Sequence, residues 1–156
     1  MEAGSGRVET EEERLDRNLT ELLAEMRVAI TGVQVLFAFL LIVPFNEGFR
    51  ELTTLQRDIY LVSLLCAGAA TVALVAPIAH HRATFRLQDK HYVVRSANRF
   101  AMAGLAFLGF SMSAAVTVVT SAVFGTTTGI LCAAGTSLGF IAFWGLLPLR
   151  RRRAIR

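Results

Sequence analysis

The chain has 156 residues, 54% of them hydrophobic, and a formal net charge of +4. A mean hydropathy of +0.52 is too apolar for an ordinary soluble domain, and the length is too short for two domains. Four membrane crossings of about 20 residues each nearly exhaust it, which excludes a sizeable extramembrane fold.

Residues 1–9 are small and polar and read as a disordered tail. Thr10 followed by Glu13 fits a capping box, in which each residue's side chain bonds the other's backbone N–H. Leu15, Leu19, Leu22, Leu23 and Met26 follow at helical spacing, with Asp16, Arg17, Glu21 and Glu25 on the other faces. Residues 10–27 therefore form an amphipathic helix on the cytoplasmic side, at the membrane surface or against the chain's own cytoplasmic loop. No breaker separates it from the first span.

The four-span transmembrane domain covers residues 28–149. Span one is 28–45, ended by Pro44 and the turn-like Asn46-Glu47-Gly48. Span two is 59–78, with Thr53 and Gln56 as its cap and Pro77 ending or kinking it. Span three is 100–124 and span four is 128–149, the latter ended by Pro148 and an arginine run. The short stretch from Gly125 to Gly129 makes spans three and four an antiparallel hairpin. Residues 150–156 are a basic tail. The fold expected is all-α: an integral membrane four-helix bundle whose amphipathic N-terminal helix is continuous with the first span.

Orientation follows from charge. The N-terminal segment, the 80–99 loop and the tail hold 14 Lys and Arg, against two in the 46–58 loop and none in the 125–129 connection. Basic residues stay on the cytoplasmic side, so both termini and the middle loop are expected there. The acid-rich 27 residues before span one, with no small-x-small site after it, argue against a cleaved signal. Fifteen Arg beside one Lys, with abundant Ala and Gly, is the residue usage of a GC-rich genome. A bacterial plasma membrane follows as the expected location.

Small residues line each span. Ser63, Ala67 and Ala70 do so in span two, Ala97, Ala101, Gly104, Ser111 and Ala115 in span three, and Thr128, Cys132, Gly135, Gly139 and Ala142 in span four. Span one offers Arg27, Thr31, Gln34 and Ala38 on one face. Such faces let helices approach closely in lipid, within the chain first and, through span four with its Gly135-x-x-x-Gly139 pair, between copies second. Cys66 and Cys132 fall inside apolar stretches and read as packing residues, with no disulfide framework.

The span cores contain no Asp, Glu, Lys, Arg or His. Gln34 is the deepest strongly polar side chain, and a buried amide needs partners, so a bond to a neighbouring span is expected. The sharper reading makes Glu25, Thr31, Gln34, His80 and His81 a polar pathway, since histidine titrates near neutrality. The plainer one pairs Glu25 with Arg82 or Arg99 as structural ion pairs. Arg150, Arg151, Arg152 and Arg153 suit anionic lipid headgroups, each charge contributing about 1 kcal/mol near the surface. Asp58 and Tyr60, with Glu47 and Glu51, stand where an outer mouth would be, although solvated loop charge explains them as well. His80, His81 and His91 have no partners that complete a metal-ligand pattern. No nucleophile triad or phosphate loop is present, so no enzyme activity, cofactor or metal is expected, and nucleic-acid binding is not expected either.

The runs Glu21-Leu-Leu-Ala-Glu25-Met-Arg27-Val-Ala, Gly32-Val-Gln34-Val-Leu-Phe37-Ala-Phe-Leu and Val43-Pro44-Phe45 resemble a family of small actinobacterial membrane proteins of unknown function. Leu52-Thr53, Gln56-Arg57, Tyr60, Ala76-Pro77, His81-Arg82 and Ala97-Asn98-Arg99 continue the likeness, over about residues 20–110. The resemblance implies four membrane helices and no catalytic residues. Members are sometimes labelled sodium:proton antiporters, but antiporters are larger and hold carboxylates near the bilayer midplane. The expected role is an accessory or structural membrane subunit, as a homo-oligomer or within a larger membrane complex in the lipid bilayer. The alternative is a small oligomeric channel or transporter for protons or monovalent ions.

Overall fold

A computed structural model describes residues 10–84 and 90–154, which are helices and short turns with no strand among them. The disordered tail expected over residues 1–9 lies outside the described residues.

Helix α1 runs unbroken over Glu11–Ile42. Its capping box is formed: Glu13 N donates to Thr10 Oγ1 at 3.3 Å and Thr10 N to Glu13 Oε2 at 3.0 Å. Its 32 residues extend about 48 Å, well beyond a hydrocarbon core of about 30 Å. The amphipathic segment and the first span are thus one rod. The α-helix stops before Pro44, inside the single turn Val43–Phe45. A second short turn, Glu47–Glu51, leads to α2 over Thr54–Thr84. The start of α2 is held by a reciprocal pair, Gln56 N to Thr53 Oγ1 at 3.3 Å and Thr53 N to Gln56 Oε1 at 2.9 Å.

Helix α3 covers Lys90–Phe124 and α4 covers Thr126–Phe140. Only Gly125 separates them, at φ +88°, a left-handed conformation that glycine adopts without a Cβ clash. A π-helical stretch, Ile141–Leu146, joins α4 to α5 over Leu147–Ala154. Four helical stretches are long and apolar enough to cross a membrane: Glu13–Phe45, Thr54–Ala79, Tyr92–Phe124 and Thr126–Arg151.

Pro77, expected to end or kink span two, lies inside α2. Proline removes one backbone donor, and a helix packed against others tolerates that loss. Most of the 80–99 loop is helical, because α2 continues to Thr84 and α3 starts at Lys90. Hydropathy marks where an apolar run ends, and both helices continue past that point into polar sequence. Pro148 does not end the last helix either. It follows just after the π stretch, where Leu147 N bonds Ala142 O five residues back, and the helix runs through it.

Helices α2 and α3 share the main interface. Ala67, Ala70 and Leu74 are wholly buried there. A Cβ on Gly104 would stand 2.6 Å from Leu74 Cγ, so this glycine permits the close approach. Helix α1 lies across both, burying Met26, Val33 and Leu40 at a seven-residue spacing. Helix α4 packs on α3 and makes no substantial interface with α1 or α2. Its most apolar stretch contains no buried residue. The arrangement is a central pair with one helix on each flank, open rather than closed around a lumen.

Candidate functional site

An open concavity lies between the first third of α1 and the first turns of α3, at the end of the molecule that also holds the C-terminal arginines. Leu15, Asn18, Glu21, Leu22 and Glu25 recur along one side of α1, and Val94, Arg95 and Asn98 face them from α3. They enclose an open groove of about 460 Å³. Met26, one residue past Glu25, is buried and anchors this part of α1 to the core. The leucines and Val94 are half-buried, while Asn18, Glu21, Glu25, Arg95 and Asn98 are exposed.

Two carboxylates one helical turn apart thus look onto a guanidinium and two carboxamides. No ion pair among the described residues joins Glu25 to Arg99, or Glu21 or Glu25 to Arg95. No group of three His, Cys, Asp or Glu that could hold a metal ion occurs among the described residues.

Within the spans, polar side chains bond helix to helix or to their own helix. Ser63 Oγ donates to Ser111 O at 2.8 Å, and Ser111 Oγ returns a 2.8 Å bond to Ser63 O. Tyr60 Oη donates to Leu40 O at 2.7 Å, and Gln56 Nε2 donates to Ser121 Oγ at 3.1 Å. Thr31 turns its hydroxyl onto the Arg27 carbonyl of its own helix at 3.0 Å. Gln34 departs from expectation: it is exposed on the outer face of α1 and makes no hydrogen bond among the described residues. Val33, its neighbour, is fully buried, and one residue is a rotation of about 100°.

A family model matches residues 8–148, nearly the whole chain, and its description is a family of unknown function, DUF6328. The chain belongs to DUF6328. No curated protein and no solved structure matches it.

In this DUF6328 chain the residues expected along a polar pathway do not form one line. Glu25 borders the groove toward α3, and Gln34 lies about 180° around α1 from it. His80, His81 and Arg82 fall on α2, but their side chains are outside the described set, so neither the histidine limb nor the Glu25–Arg82 pair is described. Arg150 and Arg151 are exposed on α5, whereas Arg152 and Arg153 belong to α5 with side chains outside that set. Tyr60 is buried and bonded rather than lining a mouth, while Asp58, Glu47 and Glu51 are exposed. Asn18, Val94 and Asn98 escaped the sequence reading as groove residues. Their signal was the helical spacing of 94, 95 and 98, hidden because that segment read as a loop.

Proposed function

We propose that this protein is a multi-pass inner-membrane protein, with both termini cytoplasmic, that serves as an accessory or structural subunit and carries no transport or enzyme activity of its own. The observation that carries this reading is the use of the intramembrane polar groups. Ser63, Ser111, Tyr60, Gln56 and Ser121 bond one helix to another instead of facing a shared lumen. Orientation rests on the charge asymmetry of 14 Lys and Arg against two. The same asymmetry gives Arg150 to Arg153 a role on anionic headgroups. The outward faces of α1 and α4 expose large apolar side chains such as Phe39 and Leu131, which suits lipid and partner helices alike.

A second reading, a small oligomeric channel for protons or monovalent ions, draws on the groove bordered by Glu21 and Glu25. It is disfavoured by the opposed positions of Glu25 and Gln34 on α1.

The test is a native mass measurement after mild solubilisation of membranes containing the untagged chain. The subunit reading predicts a mass of at least two chains of 17.0 kDa, or one chain with a larger partner. A chain that is monomeric throughout contradicts it.

A further inference from the structure

The last helix leaves α3 part-way along its length. The Phe140 ring lies against Gly109, where an added Cβ would stand 3.4 Å from it. Toward the arginine end, the π stretch and α5 form no substantial interface with α3. Regular α-helical bonding lapses at the same place, Leu147 N reaching five residues back to Ala142 O. The side of α3 that the last helix leaves is open. Counted back from Gly109 at about 100° per residue, Met102, Ala106 and Arg99 stay within about 80° of its direction, and all three are exposed. On the other wall Trp144 stands one turn past Phe140, the two rings edge-on with centroids 4.8 Å apart, and it is 39% exposed.

This cleft ends among arginines. The contacts of Gly129 with Ser121 and of Gly109 with Phe140 set an antiparallel register, which brings Arg99 to the level of Arg150 and Arg151. All three arginines are exposed. From Lys90 to Arg156 the sequence holds eight Lys and Arg and no Asp or Glu, so neither wall carries an acid to neutralise them. Apolar sides that open to lipid and cations from two helices at the mouth complement an amphiphile with an anionic head.

We propose that an anionic phospholipid occupies this cleft, its phosphate held by Arg99 together with Arg150 and Arg151, and an acyl chain lying along Met102, Ala106 and Trp144. A guanidinium presents N–H donors in a fork that fits phosphate oxygens. Basic pockets between membrane helices on the cytoplasmic side bind such headgroups, and an indole is at home at headgroup level. The inference rests on the headgroup role of the arginine run in the subunit reading, and adds α3 as the second wall.

Trp144 is the chain's single tryptophan, so its fluorescence reports on this cleft alone. The purified full chain is reconstituted in phosphatidylcholine vesicles with a minor share of phosphatidylglycerol, bromine being placed on the acyl chains of one lipid or the other. At equal mole fraction, brominated phosphatidylglycerol is expected to quench Trp144 more strongly, with a relative affinity of about 5-fold or more over phosphatidylcholine. Arg99→Gln is expected to lower that preference about 5-fold and Arg150→Gln/Arg151→Gln to lower it further, whereas Arg99→Lys keeps most of it. Arg50→Gln, at the opposite end, leaves it unchanged, and circular dichroism checks that each variant is helical. A preference that Arg150→Gln/Arg151→Gln abolishes and Arg99→Gln leaves intact overturns the cleft while the headgroup role of the tail stands. Equal quenching by the two lipids overturns both, and the subunit reading is then decided by native mass alone.

Discussion

Ser63 and Ser111 each donate a hydrogen bond to the other's backbone carbonyl, at 2.8 Å in both directions, across the buried α2–α3 interface. Both side chains are wholly buried. The pair satisfies two hydroxyls and gives two helix carbonyls a second partner each. Ser63→Ala or Ser111→Ala is expected to lower stability by about 0.5–1.5 kcal/mol, and the double variant by less than the sum. Denaturant titration in bicelles measures all three. Additive losses would show that the two serines do not act as a unit.

Glycines of the same kind in sequence have opposite roles in space. At Gly104 an added Cβ meets Leu74 Cγ at 2.6 Å, and at Gly129 it meets Ser121 Cβ at 2.6 Å and Cα at 3.0 Å. Leu74 is fully buried, so it cannot swing aside. Gly104→Ala and Gly129→Ala are each expected to cost about 1–3 kcal/mol. At Gly135 nothing lies within 4 Å, so Gly135→Ala is expected to be neutral or to stabilise by up to about 1 kcal/mol. Thermal denaturation of the three purified variants in one detergent decides this, and equal losses at all three would contradict it.

This contrast marks how far the sequence could be read. The four long apolar helices are legible because runs of that length and composition have few other readings. The caps at Thr10 and Thr53 were legible because their partners lie three residues away. The hairpin at Gly125 was legible because two spans left it no room. Helix phase was not legible. Gly104 and Gly135 both sit among small residues, and only the tertiary arrangement decides which one meets another helix. Gln34 follows the same rule: Val33 took the inward position, so the amide next to it was carried outward. The groove was half legible. Glu21 and Glu25 stand out in the sequence, but Arg95 and Asn98 fall in a polar stretch that reads as loop, since no apolar run marks the start of α3 at Lys90.

Tyr60 closes the end of the molecule opposite the C-terminal arginines. Its hydroxyl donates to the Leu40 carbonyl, and its ring meets Phe49 edge-on with centroids 5.0 Å apart. Tyr60→Phe keeps the ring contact and removes only the hydrogen bond. A loss of about 0.5–1.5 kcal/mol is expected, read by the same denaturation assay. No loss would mean that water or a neighbouring group satisfies Leu40 equally well.

Glu25 gives a different expectation. It borders the groove and makes no ion pair with Arg95 or Arg99 among the described residues. Glu25→Gln should therefore change stability by no more than about 0.5 kcal/mol. A loss above about 1 kcal/mol that disappears in an Arg82→Gln background would reveal the Glu25–Arg82 pair.

On the proposed reading, the polar groups of the spans hold helices together and conduct no ions. Proton and sodium flux in proteoliposomes of the purified, folded protein tests it most directly, with Glu25→Gln and Gln34→Leu alongside. Flux no greater than in protein-free liposomes is expected for all three proteins. Flux in the unsubstituted protein that either substitution abolishes would contradict it and establish the channel reading.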